Sequence, residues 1–407
     1  MQRRRLLSWL GLGLLGLCSG ALGREKREHM RHKKRGSNSE PVTLFLCGDV
    51  MTGRGIDQIL PYPSSPEIYE PYMTSARGYV KIAEETNGPI PAPAAFDYIW
   101  GDALTELNRI APDLRLINLE TAVTRSDAYW PRKGINYRMH PDNFPCIESA
   151  GIDACILANN HVLDWGYEGL DETLATVDAA GIKRVGAGEN SREAGDPAVF
   201  ELTGGRRVVV LAFAHPSSGV PPEWRAGPGR AGVFLIESLN DAAIEKVASQ
   251  VTALKQQGDL VVASIHWGGN WGYSIPREQQ RFAHGLIDRA GVDVVHGHSS
   301  HHPRGIEIYN DRPILYGCGD FLNDYEGIRS HSEYRGDLAL MYFLTLDPCN
   351  GSLLRLQMTP MQIRRFRLQR PSKQDQQWLA QTMDRECRRL GTRLRRNAEG
   401  RFELSWQ

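Results

Sequence analysis

The sequence predicts an α/β fold in which strands and helices alternate, and three observations carry that prediction. Five apolar, strand-like runs each end in a group able to bind a metal or move a proton: Val42–Asp49, Leu114–Glu120, Ala154–His161, Leu260–His266 and Val292–His298. Helical patterns lie between them, as an α/β sandwich requires. Ligands of open, mostly parallel sheets bind at the carboxyl ends of the strands. Asp, Glu, Asn and His gathered at five such ends therefore read as one convergent hydrolytic metal site.

The elements follow in order from local patterns. Residues 61–96 are Pro-rich (Pro61-Tyr-Pro-Ser-Ser-Pro66, Pro89-Ile-Pro-Ala-Pro93) and read as an insertion too irregular for core structure, either a lid or a surface excursion. Leu170, Leu174 and Val177 mark a helix ended by Gly181. Ile244, Val247, Val251 and Leu254 mark another, capped by Asn240 or Asp241 and closed by Gly258. Pro276 opens a third, burying Phe282, Leu286, Ile287 and Ala290 before Gly291. Arg207–Ala214, Pro313–Tyr316 and Leu338–Leu346 are further strands. From about Gln362 the tail mixes charges with Trp378, Leu379 and Leu390, which predicts a helix packed on the domain's edge.

A chain of 407 residues holds one large or two medium domains, and 41% hydrophobic with 24% charged content is ordinary for a globular protein. The 48 basic residues balance 48 acidic ones, so charge gives no argument for nucleic acid. Basic residues concentrate between Arg24 and Arg35, a solvated linker over residues 24–40, and again between Ile363 and Arg401.

Residues 1–23 read as an export signal: Arg3-Arg4-Arg5, an apolar stretch Leu6–Leu17, then small residues with Ala21-Leu22-Gly23 as a cleavage site. The double arginine also resembles a twin-arginine signal, and the uncleaved alternative is a membrane anchor. The expectation is an exported, periplasmic or extracytoplasmic protein. Cys47, Cys155 and Cys318 sit in apolar runs as small buried residues, whereas Cys146, Cys349 and Cys387 are the candidates for pairing.

The motifs differ in what they say alone. Gly48-Asp49 offers a tight turn and a hard oxygen ligand, with Arg54 placed to meet a substrate anion; a structural turn is the bland reading. Asn118-Leu-Glu120 puts a carboxylate at a strand end, where a cap would also fit. Ala158-Asn-Asn-His161 with Asp164-Trp-Gly166 is the most specific segment. Asn160 offers a carbonyl ligand, His161 a proton, and Asp164 a carboxylate to orient that imidazole. His266-Trp-Gly268 closes another strand, with Trp267, Trp271 and Tyr273 forming a site wall or ordinary packing. His296, His298, His301 and His302 give four imidazoles in seven residues, not all of them ligands, followed by Arg304 and Glu307. Asp320, after the turn at Gly317–Gly319, lies on the same rim.

Together these motifs resemble the bacterial capsule-synthesis CapA family, associated with poly-γ-glutamate synthesis or export and related to calcineurin-like metallophosphoesterases. The resemblance covers residues 41–325. It implies a four-layer α/β/β/α domain over 41–350, with a charged extension at 351–407. It also implies one or two divalent ions (Mn, Fe or Zn). Asp49 and His301 would hold the first, Asn160, His266 and His298 the second, and Glu120 would bridge them, with His161 as proton donor. Two departures stand out: Met51 occupies the place of an imidazole, and the final His pair is stretched to His298-Ser-Ser-His301, so Asp320 is a candidate replacement carboxylate. The implied function is a metal-dependent hydrolase-like enzyme acting on an anionic polymer or small phosphoester, with Arg54, Trp267, Arg304 and Asp320 at the substrate. The N-terminus would contact the envelope. The alternatives are a non-catalytic polymer-binding or export component and a general secreted phosphatase.

Overall fold

A computed structural model of the chain describes residues 40–328 and 330–407; the expected export signal and all but one residue of the basic linker lie outside them. The fold is α/β and built on two large sheets. The ten-stranded sheet runs Arg393–Arg396, Phe402–Ser405, Leu353–Ile363, Leu338–Leu346, Val42–Val50, Leu114–Leu119, Ala154–Ile156, Lys183–Val185. Asp320–Leu322 pairs beside Val42–Val50, and Leu368–Gln369 beside Leu353–Ile363. From Val42–Val50 to Lys183–Val185 the pairing is parallel. The six-stranded sheet runs Ala198–Glu201, Arg207–Ala214, Leu260–His266, Val294–His298, Arg312–Leu315, Ile306–Tyr309, and its four central strands are parallel.

Strand periodicity explains how the two sheets meet. Val208, Val210, Ala212, Leu260, Val262 and Val294 join the core shared with the first sheet. Their neighbours Val209, Leu211, Phe213, Val261, Ala263 and Val295 form a second core with Ile244, Val247, Val251, Phe282 and Leu286 from helices Asp241–Leu254 and Arg277–Asp288. A strand buried on both faces has to be apolar at successive positions, which is why these runs lack polar alternation. Each of the Val, Leu, Ile and Phe side chains contributes about 1.5–3 kcal/mol of burial. The expected Asn240 cap is present, its Oδ1 accepting from Ala243 N at 3.0 Å.

Two expectations change. The 61–96 insertion is ordered: Glu67–Glu70 and Met73–Ser75 form a hairpin, and Arg77–Asn87 a helix that buries Tyr79 and Ala83. Its prolines punctuate only the ends and leave an amphipathic stretch between them. The segment after residue 350 is more than a helix on an edge. Helix Lys373–Arg388 does pack Leu379, Met383 and Cys387 on the core, but four strands of this segment complete the first sheet. Residues 40–407 form one compact unit. Cys146 and Cys387 are buried thiols. Among the described residues no helix is long and apolar enough to cross a membrane.

Candidate metal centre

Both sheets deliver their polar strand ends to one place. In the first, Asp49 stands in register with Asn118 on one side and Asp320 on the other. Asn118 Nδ2 donates to Asp49 Oδ1 at 2.7 Å and to Glu120 Oε2 at 3.1 Å, so one amide orients both carboxylates. Asn159 Nδ2 fixes that amide in turn, donating to Asn118 Oδ1 at 3.1 Å. Asp49 Oδ2 accepts from Ser299 N at 3.2 Å.

In the second sheet His266 and His298 are register partners on adjacent parallel strands, their Nδ1 atoms 2.8 Å apart. His266 Nε2 lies 2.8 Å from Asn160 Oδ1 and 3.9 Å from Glu120 Oε1. Asp49, His266 and His298 each present a ligand atom within 4.8 Å of the others. Ser264 Oγ, 2.9 Å from His298 Nε2, fixes that ring so that Nδ1 faces the centre. Two further imidazoles of the His296–His302 cluster make structural hydrogen bonds. His296 reaches Ser264 Oγ and, at 2.7 Å, the Cys47 carbonyl of the facing sheet. His302 accepts from Gly272 N at 3.1 Å.

Burial governs the electrostatics. It pushes Asp49 up to about 7, with the Asp320 charge adding to the rise, and raises Glu120 well above the carboxylate range, with Asp49 adding. Burial also holds His266 and His298 well below the usual imidazole range, so both rings are neutral. This donor set fits a divalent ion: neutral imidazoles are ready ligands, and a cation offsets the like charges of Asp49, Glu120 and Asp320.

His161 stands beside this group, Nε2 3.8 Å from Glu120 Oε1. Its Nδ1 is 2.6 Å from Asp164 Oδ2, and Tyr137 packs edge-on against the ring at 4.5 Å. Burial lowers its pKa to about 4 against the opposing pull of Asp164. Lys133, which the sequence reading missed, is 2.7 Å from Asp164 Oδ1 and 3.0 Å from His161 Nδ1. It comes from a polar loop with no periodicity or strand end to mark it.

His301 points Nδ1 at Asp320 Oδ1, 2.8 Å away, and Asn323 Nδ2 holds the other oxygen at 2.8 Å. Burial would depress His301, but Asp320 and then Asp49 outweigh it and raise its pKa. Trp271 forms a wall here, 5.2 Å from the His301 ring and stacked on His331 at 4.5 Å. Asp320 is therefore a neighbour of Asp49 and partner of His301, in the ligand region rather than out at the substrate.

Three expected substrate contacts are elsewhere. Arg54 is 2% exposed, with four of its five N–H donors given to Asp324, Glu70 and the Tyr79 hydroxyl, so it is buried and neutralised within the fold rather than presented to a substrate anion. Trp267 is fully buried on the helix side of its sheet, where Nε1 donates to the Tyr316 carbonyl at 3.1 Å; the next residue after an inward His points outward. Arg304 is 3% exposed and supports the site loop from beneath, donating to Gly269 O at 2.6 Å. Glu307 also lies apart, bonded to Tyr316 and His284.

The family described as "Bacterial capsule synthesis protein PGA_cap" matches residues 43–325. The "Probable polyglutamine synthesis accessory protein" of Mycobacterium tuberculosis (strain CDC 1551 / Oshkosh) is 50% identical over 359 residues, 88% of this chain and 94% of the relative. "Capsule biosynthesis protein CapA" of Bacillus anthracis is 24% identical over 326 residues, covering 80% and 68%. "PGA biosynthesis protein CapA" of Bacillus subtilis (strain 168) is 24% identical over 327 residues, covering 80% and 73%. The matched span encloses every residue of the centre, and the chain belongs to the bacterial capsule synthesis PGA_cap family.

Proposed function

We propose that this protein is an exported, metal-dependent hydrolase-like enzyme of capsule or envelope polymer metabolism, acting on a phosphoester or amide bond of an anionic polymer. The observation that carries the reading is the convergence of Asp49, His266 and His298 within 4.8 Å, beside the His161–Asp164 pair. His266, His298 and Asn160 would form a nitrogen-rich half of the centre, Asp49, His301 and Asp320 an oxygen-rich half, with Glu120 between them. The alternating burial of the second sheet supports the four-layer α/β/β/α arrangement of this enzyme class. Bound manganese, iron or zinc supplies Lewis acidity to the carbonyl or phosphoryl group under attack.

The remaining steps belong to the chain. Asn118 and Ser264 aim the ligands, and Asp164 aims the imidazole of His161. His161, outside the ligand set and neutral because burial holds its pKa at about 4, would take a proton as a base from the attacking group and pass it to the leaving oxygen or nitrogen. The names of the relatives, two capsule or PGA biosynthesis proteins and a polyglutamine synthesis accessory protein, point to an envelope polymer of glutamate or of its amide, and the resemblance to the poly-γ-glutamate family makes the acid form the polymer of this reading. The test is turnover by protein purified without chelator and supplied with manganese, iron or zinc, on small phosphoesters and on γ-glutamyl polymer. Hydrolysis of either supports the reading. Binding of the polymer with hydrolysis of neither replaces it with a non-catalytic binding component.

A further inference from the structure

Between Ile363 and Arg401 the sequence carries eleven arginines against four acidic residues. Most of those acids are already engaged: Glu386 by Arg385 and Arg389, Glu399 by Arg401, Asp375 by Arg335. The excess cations are not scattered evenly. A recess of about 680 Å³ opens between the end of helix Lys373–Arg388 and the strands Arg393–Arg396 and Phe402–Ser405, and Arg388, Arg393 and Arg395 line it. Its one acidic side chain, Asp384, is committed to Arg388 and to the Leu394 backbone N–H at 3.0 Å. Arg393 and Arg395 are exposed and make no side-chain hydrogen bond or ion pair among the described residues.

Strand geometry gives these two arginines a shared direction. Positions two apart on a strand point to one face, about 6.8 Å from each other. Leu394 between them is buried in the core, so both flanking guanidinium groups face the recess. Arg393–Arg396 is also the edge strand of the ten-stranded sheet, open along its outer side. Half-buried Trp406 supplies an apolar surface within the same recess. Cations at a regular spacing beside an apolar surface suit a chain of repeated carboxylates on short methylene stems.

A line of packed side chains joins the helix beside the recess to the loop that carries His301. One turn back along the helix, Arg385 lies over the Tyr273 ring at 5.3 Å. Tyr273 packs on His302 at 4.6 Å, the neighbour in sequence of His301.

We propose that the recess lined by Arg388, Arg393 and Arg395 is a binding site for a polycarboxylate chain, distal to the metal centre. The choice of carboxylate over phosphate rests on the capsule-polymer reading above; the cationic recess does not. The experiment is fluorescence anisotropy of labelled polyglutamate on the full chain, with Arg393→Gln/Arg395→Gln compared with Arg277→Gln/Arg281→Gln. The second pair removes the same charge from exposed positions on another helix. The recess pair should weaken binding about tenfold, as two ion pairs of roughly 0.7 kcal/mol each imply, while the control pair leaves it within about twofold. Equal weakening by both pairs, no binding by the wild type, or tighter binding of polyphosphate or anionic vesicles than of polyglutamate overturns the proposal. Turnover of a small substrate should be unchanged in the recess variant. Its absence in the wild type would count against the hydrolase reading and leave the binding result to stand or fall by itself.

Discussion

Lys133 Nζ pairs with Asp164, 2.7 Å from its Oδ1, and lies 3.0 Å from His161 Nδ1, the ring nitrogen that donates to Asp164 Oδ2. Asp164 Oδ2 also accepts from Tyr137 N at 2.6 Å, so the carboxylate that aims the imidazole is itself held from several sides. Lys133→Met keeps much of the side chain's length and removes the charge. Turnover should fall about tenfold, part of the 10²–10⁴ that a positioned proton donor supplies. Metal content should be unchanged. A Lys133→Met protein with full turnover would make the lysine a bystander.

His161 and His266 separate proton transfer from metal binding. His161→Ala should remove most turnover, about 10²–10⁴-fold, with metal stoichiometry nearly intact. His266→Ala loses a ring that meets Asn160 and His298 at once, so metal should be lost with activity. Asp164→Asn should be milder than His161→Ala. Stoichiometry, melting temperature and turnover measured on the same samples decide this, and loss of metal from the His161 variant as readily as from the His266 variant counts against the assignment.

Arg54 is expected to matter for stability alone. It joins Asp324, which follows the strand beside Asp49, to Glu70 of the hairpin, and its guanidinium lies 4.0 Å from the Tyr79 ring and 4.3 Å from the Tyr137 ring. Arg54→Ala strands two buried carboxylates and should cost about 3–5 kcal/mol in denaturant unfolding. Arg54→Ala/Glu70→Gln/Asp324→Asn, which removes the charges together, should recover part of that. No recovery would mean that lost packing, rather than unpaired charge, sets the cost.

The strand ends were legible in the sequence because two rules converge there: apolar runs locate parallel strands, and polar residues at their carboxyl ends have few structural reasons to exist. Asp49, Glu120, Asn160, His161, His266 and His298 all come from such ends, and the structure gathers them. The arginines misled because charge type says nothing about whether a guanidinium reaches solvent. Arg54 looked available only while Glu70 and Asp324, 16 and 270 residues away, were unplaced. Lys133 and Asn118 act by aiming other side chains, and second-rank contacts of that kind leave no spacing to read. The last four strands were hidden in a segment whose charge density suggested surface.

Glu106 anchors that segment and gives the fold a predicted acid sensitivity. Its carboxylate accepts from Arg109 at 3.0 Å, Arg401 at 3.2 Å and Thr359 at 3.3 Å, and pairs with Arg370, tying helix Asp102–Ile110 to the final strands. Burial alone would raise its pKa; Arg109, Arg401 and Arg370 outweigh burial and hold it at about 2. A carboxylate whose folded pKa lies below its unfolded value contributes stability that is fully present above about pH 5 and is lost as pH falls toward the folded value. Glu106→Gln should therefore be less stable than wild type by about 2–3 kcal/mol at neutral pH. The two proteins should converge as acid protonates the wild-type side chain near pH 2, so the wild type has the steeper acid slope. Urea unfolding of both across the acid range checks the sign, and a stability difference that stays constant with pH would show that Glu106 holds the tail by packing and shape rather than by its charge.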